Sequence, residues 1–411
     1  PKMAKAYRAR AAIYRGDGEY ELAISDYTTL LESGAEEISA EDASDLYHAR
    51  GLVYLEKGQE EARPEDIDRA IEDFNRALVI DLWDARVYFD RGNAYLDKGD
   101  NDKALADYGK ALDLDSEYTD AYFNRGLAYG RQQQWEKAIA EYGKYLAVNP
   151  HDKDAYYQRG LAYERSGQGY HAVEDFTQVI RLDGDNSDAY RLRGYSYYQV
   201  KRDKEAISDF DTAIRLNPWD AYAYRGRGFA YMRTGGCGQA IEDFSMALKL
   251  NEKDDFMYEF RGWCYIYTEQ YDLAIADFDR HLEIRPDLKY LLLGRAWANE
   301  ELGNHDRAIA DASMSLEDSP CPQSAYVVRA IAHAAKGEYE AAFEDLERAD
   351  TDCGTKASVE YGRGRIYAMQ GKTAEATEAL NKAIEGSGDD TITKQRAEKE
   401  LKKLRQNPEE K

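Results

Sequence analysis

The chain has 411 residues, 43% hydrophobic and 33% charged, and its 79 acidic side chains against 55 basic ones leave a formal net charge of -24. That balance excludes a non-specific binder of nucleic acid or anionic membranes, since both need concentrated Lys and Arg, and no apolar run approaches the ~20 residues that span a bilayer. Four cysteines without a CxxC spacing and six scattered histidines argue against a disulfide framework or a metal cluster, while 34 tyrosines against 11 Phe and 5 Trp mean that something places Tyr repeatedly.

In chain order, residues 4–37 carry two stretches with apolar side chains at helical spacing, followed by a spacer at 38–43. Residues 44–84 repeat the arrangement with about seven extra residues, near 60–66, expected in the turn between the two stretches. From 85 onward the period is strict. YFNRGLAY at 122–129 returns as YYQRGLAY at 156–163 and YRLRGYSY at 190–197, each copy 34 residues after the last. A second half such as WEKAIAEY at 135–142 has apolar residues at i, i+3, i+4 and i+7, which is the spacing of a helix face. Turns such as Lys98-Gly99-Asp100 separate the halves, and Pro150, Pro218, Pro286 and Pro320 recur at one phase between units. The units run 85–118, 119–152, 153–186, 187–220, 221–254, 255–288, 289–322, 323–356 and 357–390. The ninth, with Leu292, Ala296, Asn299 and Ala312 where others have Tyr, Gly, Tyr and Phe or Tyr, is the least regular, and a bend or boundary is expected there. Residues 391–411 read as a last polar helix, Lys394 to Arg405, that caps the array.

This pattern resembles the tetratricopeptide repeat, a helix-turn-helix unit with aromatic and small residues at fixed phases. The resemblance covers nearly the whole chain as eleven units and implies an all-α, right-handed superhelical solenoid of antiparallel helix pairs. Repeat position 20 is alanine in all eleven, from Ala23 to Ala376, and position 8 is Gly in eight and Ala in three. Small residues there let paired helices approach closely. The organisation expected is 1–43 for the first unit and spacer, 44–288 for units two to eight, 289–390 for units nine to eleven, and 391–411 for the capping helix and tail.

Position 7 is arginine in every unit, and position 23, on the second helix, is Asp or Glu in ten of the eleven, failing only at Ala379. A ladder of structural Arg–carboxylate pairs is expected, in preference to a row of ligand-binding arginines. Function belongs where units differ. In the family the first helix of each unit lines a concave face, with positions 2, 5, 9 and 12 directed into it. Those phases hold an apolar series beyond the stripe a hairpin needs for its own packing. The candidate partner groove comprises Phe89, Phe123, Tyr157, Arg191, Tyr195, Tyr198, Arg225, Phe229, Met232, Trp263, Ile266, Tyr267 and Trp297, densest over units six to nine. Arg191 and Arg225 are placed to hold a carboxylate or backbone carbonyls. The competing expectation is that neighbouring units bury these side chains.

No unit carries the Lys-then-Asn pair of the chaperone-tail clamp, and Asn93 and Asn124 do not make an asparagine ladder. Asp183 to Asp188 starts like a calcium loop but lacks the turn glycine, and Gly194 stands where the bidentate Glu belongs, so an inter-repeat turn is expected. Gly226-Arg227-Gly228 and Gly362-Arg363-Gly364 lack the preceding strand of a phosphate loop. Catalytic residues, cofactor and metal are therefore all expected to be absent. The expected function is a non-enzymatic scaffold or adaptor binding an extended or helical protein segment that presents apolar and basic residues, with no nucleic acid and no direct membrane insertion. A self-associating homo-oligomeric scaffold, or the regulatory repeat region of a larger protein, are the alternatives. The N-terminal PKMA shows no charged-then-apolar signal segment, which favours a cytoplasmic setting while leaving a removed leader open.

Overall fold

The computed structural model describes residues 2–33, 39–251, 253–317, 323–351, 356–388 and 390–406. Among them are 23 helices and no strand. They fall into two compact units, residues 1–202 and 203–411.

The first unit holds α1 (Lys2–Gly16) with α2 (Tyr20–Ser33), α3 (Ala40–Glu60) with α4 (Pro64–Ile80), α5 (Ala85–Lys98) with α6 (Asn101–Leu114), α7 (Asp120–Arg131) with α8 (Trp135–Val148), α9 (Lys153–Arg165) with α10 (Gly169–Leu182), and α11 (Ser187–Gln199). Each pair is an antiparallel hairpin, and each second helix also packs on the first helix of the next pair. The turns close on a residue in the left-handed region, Gly99 at φ 84° being an example that only glycine adopts freely. The next first helix restarts on a side-chain cap: Asp152 Oδ1 accepts from the backbone N–H groups of Asp154 and Ala155.

The second unit holds α12 (Asp203–Leu216), α13 (Ala221–Arg233) with α14 (Cys237–Leu250), α15 (Phe256–Tyr267) with α16 (Tyr271–Ile284), α17 (Leu291–Glu301) with α18 (His305–Ser315), α19 (Gln323–Ala335) with α20 (Tyr339–Thr351), α21 (Lys356–Met369) with α22 (Thr373–Gly386), and the terminal α23 (Thr391–Gln406). The all-α class, the stacked hairpins and the terminal helix are those the periodicity implies.

The enlarged turn expected near 60–66 is not a loop. The extra residues lengthen α3 to 21 residues and α4 to 17, leaving only residues 61–63 between them. Glu, Lys and Gln carry α3 onward as good helix formers, and Pro64 opens α4 at the first helical position, where its missing N–H costs nothing. Of the spacer, Ser39 caps α3 by accepting from the N–H of Asp42, and residues before it lie outside the described range, as do Pro320, Cys321 and Cys353.

Tight packing explains the repeat signature. All eleven position-20 alanines are fully buried. Six of the position-8 glycines lie under an aromatic ring of the partner helix, and Gly364 lies under Leu380: a Cβ on Gly92 would sit 2.7 Å from the Tyr108 ring, and one on Gly160 2.9 Å from Phe176. In the ninth hairpin both members shrink together, Ala296 and Ala312 each being fully buried. Its helices are also the shortest pair, 11 residues each.

Candidate docking face

The arginines at position 7 come first because they shape every hairpin. In nine of them, at Arg10, Arg50, Arg91, Arg125, Arg159, Arg227, Arg261, Arg295 and Arg329, the guanidinium bonds the carboxylate on its own second helix. Arg91 is typical, with Nε and Nη2 each donating over 2.7 Å to Asp107. Burial pushes the Asp175, Asp243 and Asp277 carboxyls up, and their arginines pull the other way. Arg363, facing Ala379, turns to Glu360 and Asp350 instead.

Two roles of this arginine are not visible from the pair pattern. Its remaining Nη1 reaches back to the preceding second helix, as Arg227 to Asp211 at 2.6 Å, Arg261 to Ser245 at 2.9 Å and Arg329 to Ser313 at 3.0 Å. The same guanidinium lies over the tyrosines three residues before and four after it, Arg159 being 5.6 Å from the Tyr156 ring and 5.8 Å from Tyr163. At Arg50, Arg91, Arg227, Arg261, Arg295 and Arg329 the guanidinium thus ties two second helices to one first helix, and the tyrosine excess is largely the aromatic bracket of this arginine.

In the first unit the candidate wall residues Phe89, Phe123, Tyr157, Arg191, Tyr195 and Tyr198 are all half-buried. Phe89 stacks 5.8 Å from Tyr108 and 4.9 Å from Tyr118, and Phe123 lies 5.7 Å from Tyr142 and 5.2 Å from Tyr145. Tyr157 meets Phe176 edge-on at 6.1 Å. Arg191 donates to Asp188 at 2.5 Å.

In the second unit Arg225, Phe229, Met232, Trp263 and Tyr267 are likewise half-buried. Phe229 packs edge-on against Phe244 and Phe260, at 5.4 and 4.7 Å, and Trp263 against Phe278 at 5.7 Å. Arg225 donates to Asp254 at 3.0 Å and covers the Tyr222 ring at 4.8 Å. The two arginines expected to hold a carboxylate are thus already engaged with carboxylates of the chain. Burial raises the Tyr267 hydroxyl to about 12.

Two of the expected wall residues are not surface at all. Ile266 is 4% exposed and Trp297 6%, both within the core of the last hairpins. The reason is that α17, α19 and α21 pack directly on one another there, so that position 9 of the ninth unit meets Tyr361 (ring centroids 6.4 Å apart) instead of water.

Beside Trp297 lies an ion cluster that the repeat positions only half reveal. Arg365 donates to Glu300 at 3.2 Å and Glu301 at 3.4 Å, and to the Tyr361 hydroxyl at 3.1 Å, with Glu400 of α23 at 3.8 Å. Burial opposes the charge of Arg365, but Tyr361 and the three carboxylates outweigh it and raise the group well above the ordinary range. Burial also raises Glu300, whose second carboxylate oxygen has no hydrogen-bond partner. A signal is present in the sequence: Glu300 occupies position 12, which is apolar at Leu55, Leu96, Met232 and Ile266.

Outside the wall, Asn186 Oδ1 caps α11 through the N–H of Ala189, and Asp183 pairs with Lys153 at 2.7 Å, so the calcium-like stretch is an inter-repeat turn. Cys264 is buried and Cys237 half-buried, both as free thiols. Among the described residues no group of His, Cys, Asp and Glu is arranged to hold a metal ion, and no helix is long and apolar enough to cross a membrane.

Stacked antiparallel helix pairs, with a small residue under each ring and an arginine between successive second helices, define a helical-repeat scaffold. Family models described as TPR repeat match residues 92–133, 131–167 and 194–235, and models described as tetratricopeptide repeat match 153–186 and 265–320. The chain belongs to the tetratricopeptide repeat family. No curated protein sequence matches it. Among solved structures, the C-terminal part of a TPR repeat-containing protein from Cytophaga hutchinsonii aligns with a TM-score of 0.51 at 18% identity, covering 61% of this chain and 98% of that one. YrrB, described as a TPR protein with an unusual peptide-binding site, aligns over 46% of this chain and 96% of its own at 24% identity and a TM-score of 0.42. MamA aligns over 41% and 92% at 27% identity and 0.39. Repeats of this family imply a protein-interaction scaffold, a role that is typically non-enzymatic.

Proposed function

We propose that the chain is a non-enzymatic adaptor that seats an extended or helical segment of a partner protein on the wall formed by its first helices. The observation that carries this reading is that Phe229, Met232, Trp263 and Tyr267, on the successive first helices α13 and α15, keep part of their surface in water after the hairpins have stacked. Rings used only for packing, such as Phe244 and Phe278, are fully buried. Partly exposed apolar side chains gathered on one face are what an interaction site presents, and each aromatic offers on the order of 150–250 Å² of surface to bury. The acidic field of the chain favours a partner with basic residues.

The test is affinity capture with the full chain and with a Trp263→Ala/Phe229→Ala variant. Loss of the captured protein with helicity retained by circular dichroism is expected. Undiminished capture by the variant rejects the placement.

A further inference from the structure

Resting on that reading, we infer that α23 is a resident ligand of the docking wall, and that the partner is a basic amphipathic helix which displaces it. Three observations converge. First, α23 is chemically unlike the chain that carries it. Lys394, Arg396, Lys399, Lys402, Lys403 and Arg405 stand against Glu398 and Glu400, six basic to two acidic, a net of +4 in a chain of -24. Its apolar stripe is narrow, with Ala397 fully buried and Leu401 6% exposed.

Second, α23 does more than cap α22. It also packs on α21 and reaches residues up to 130 positions earlier in the sequence. The Arg396 guanidinium lies 4.0 Å over the Trp297 ring, and Lys399 donates to Glu269, just beyond α15, at 2.6 Å. These are charged contacts of one helix face with aromatic and acidic groups of a wall, the chemistry by which a groove takes a basic helix.

Third, the fit is incomplete. Cavities of about 270 and 300 Å³ flank Arg396. One lies between α23 and Ile266, Tyr267, Tyr271 and Glu301, and the other between α23 and Trp263, Leu293 and Trp297. The buried stripe of α23, Ala397 and Leu401, joins the core of the last hairpins and packs closely, as interiors do, whereas on its Arg396 side the helix overlies two clefts that stay open to solvent. Here the long side chains of α23 bridge the wall while apolar and acidic groups beneath them stay unfilled. The burial of Trp297 therefore belongs partly to an occupant. An incoming helix with Arg or Lys at i and i+3 beside a broader apolar stripe takes the same Trp297 and Glu269 contacts and fills both cavities.

The test uses the full chain and, as probe, a labelled peptide of residues 391–406. Reversing two charges outside the buried stripe, Arg396→Glu/Lys399→Glu, loosens α23. Fluorescence anisotropy is expected to show the peptide binding this variant about tenfold more tightly than the native chain, as expected for one cation–π contact plus one ion pair made repulsive. A scrambled peptide of the same composition should not bind. In the native chain, hydrogen exchange should show α23 amides losing protection when excess peptide is added, a readout that does not depend on the variant's folding. Equal affinity for native and variant chains, binding of the scrambled peptide, or unchanged α23 protection overturns the inference. If those results are negative while Trp263→Ala/Phe229→Ala still abolishes partner capture, the resident-ligand inference fails and the adaptor reading stands. Positive peptide results with undiminished capture do the opposite: α23 is then a displaceable ligand, and the placement of the partner on Phe229 and Trp263 fails.

Discussion

The third hairpin and the last three hairpins use the same repeat phases to opposite ends. Around α5 and α7, successive first helices barely touch, and Phe89, Asn93 and Phe123 line a wall that water still reaches. Around α17, α19 and α21 the first helices pack on one another, and the equivalent residues Trp297, Val327 and Tyr361 become core. Side-chain size at a wall position does not decide which occurs. What decides it is how closely neighbouring first helices approach, and in the ninth hairpin the loss of bulk at Ala296 and Ala312 accompanies that approach. A position read as surface in one part of a repeat array is therefore interior in another, and charges placed there must be paired.

The sharpest way to break this comparison is to remove Arg365. Its truncation to Ala leaves Glu300 buried and uncompensated, so we expect a loss of about 3–5 kcal/mol. The loss should be confined to the last hairpins, since repeat arrays unfold by neighbouring units. Denaturant unfolding followed by hydrogen exchange would locate it. Arg365→Met combined with Glu300→Leu should recover most of the stability, because the pair costs desolvation that an apolar pair avoids. Failure of the single variant to destabilise α17 and α21 would mean that the cluster is wetter than its geometry implies.

Next in size is a contrast within the regular hairpins. Gly92→Ala drives a methyl group into the Tyr108 ring and should cost about 1–3 kcal/mol. Gly109→Ala, on the partner helix α6, meets nothing within 4 Å and should instead stabilise by about 0.4–1 kcal/mol. Thermal unfolding of the two variants, opposite in sign, would confirm that position 8 is set by packing and not by backbone conformation. Two losses of equal size would refute it.

How much of this is legible in the sequence follows the same division. The hairpins, the buried position-20 alanines and the Arg–carboxylate ladder follow from periodicity, because each is a contact within one repeat or with the next. The backward reach of Arg227 to Asp211 over 16 residues escapes such a reading; the residue at that place varies, with Asp, Ser, Thr and Asn among its kinds and Gly at 109 and 143, and so leaves no fixed letter. Trp297 and Ile266 are misplaced by it for another reason: their burial depends on contacts between first helices and, for Trp297, on α23, neither of which any period encodes. The lengthened α3 shows the limit of reading insertions as loops when their residues favour helix.

The smallest effect concerns His281, and it tests the comparison at a position where the first unit is apolar in α4 and α6. These second helices carry Ala77 and Ala111 at this phase, both fully buried, whereas α16 carries an imidazole with no exposed surface and no hydrogen-bond partner on either nitrogen. Burial lowers its pKa, Arg285 acting in the same sense and Asp255, 3.9 Å away, against it. A depressed folded-state pKa means that the unfolded chain takes up the proton first. The stability contributed by the neutral ring is whole above about pH 6.5, the ordinary imidazole value, and is lost as the pH falls through the folded-state value. The difference in stability between a His281→Leu variant and the native chain should therefore be flat at neutral to alkaline pH. It should then grow in the variant's favour below about pH 6.5, by no more than about 1.4 kcal/mol for each unit of depression. A difference that stays constant from pH 8 to 5 would show that the ring is protonated equally in both states, and hence that α16 is open to water where the geometry closes it.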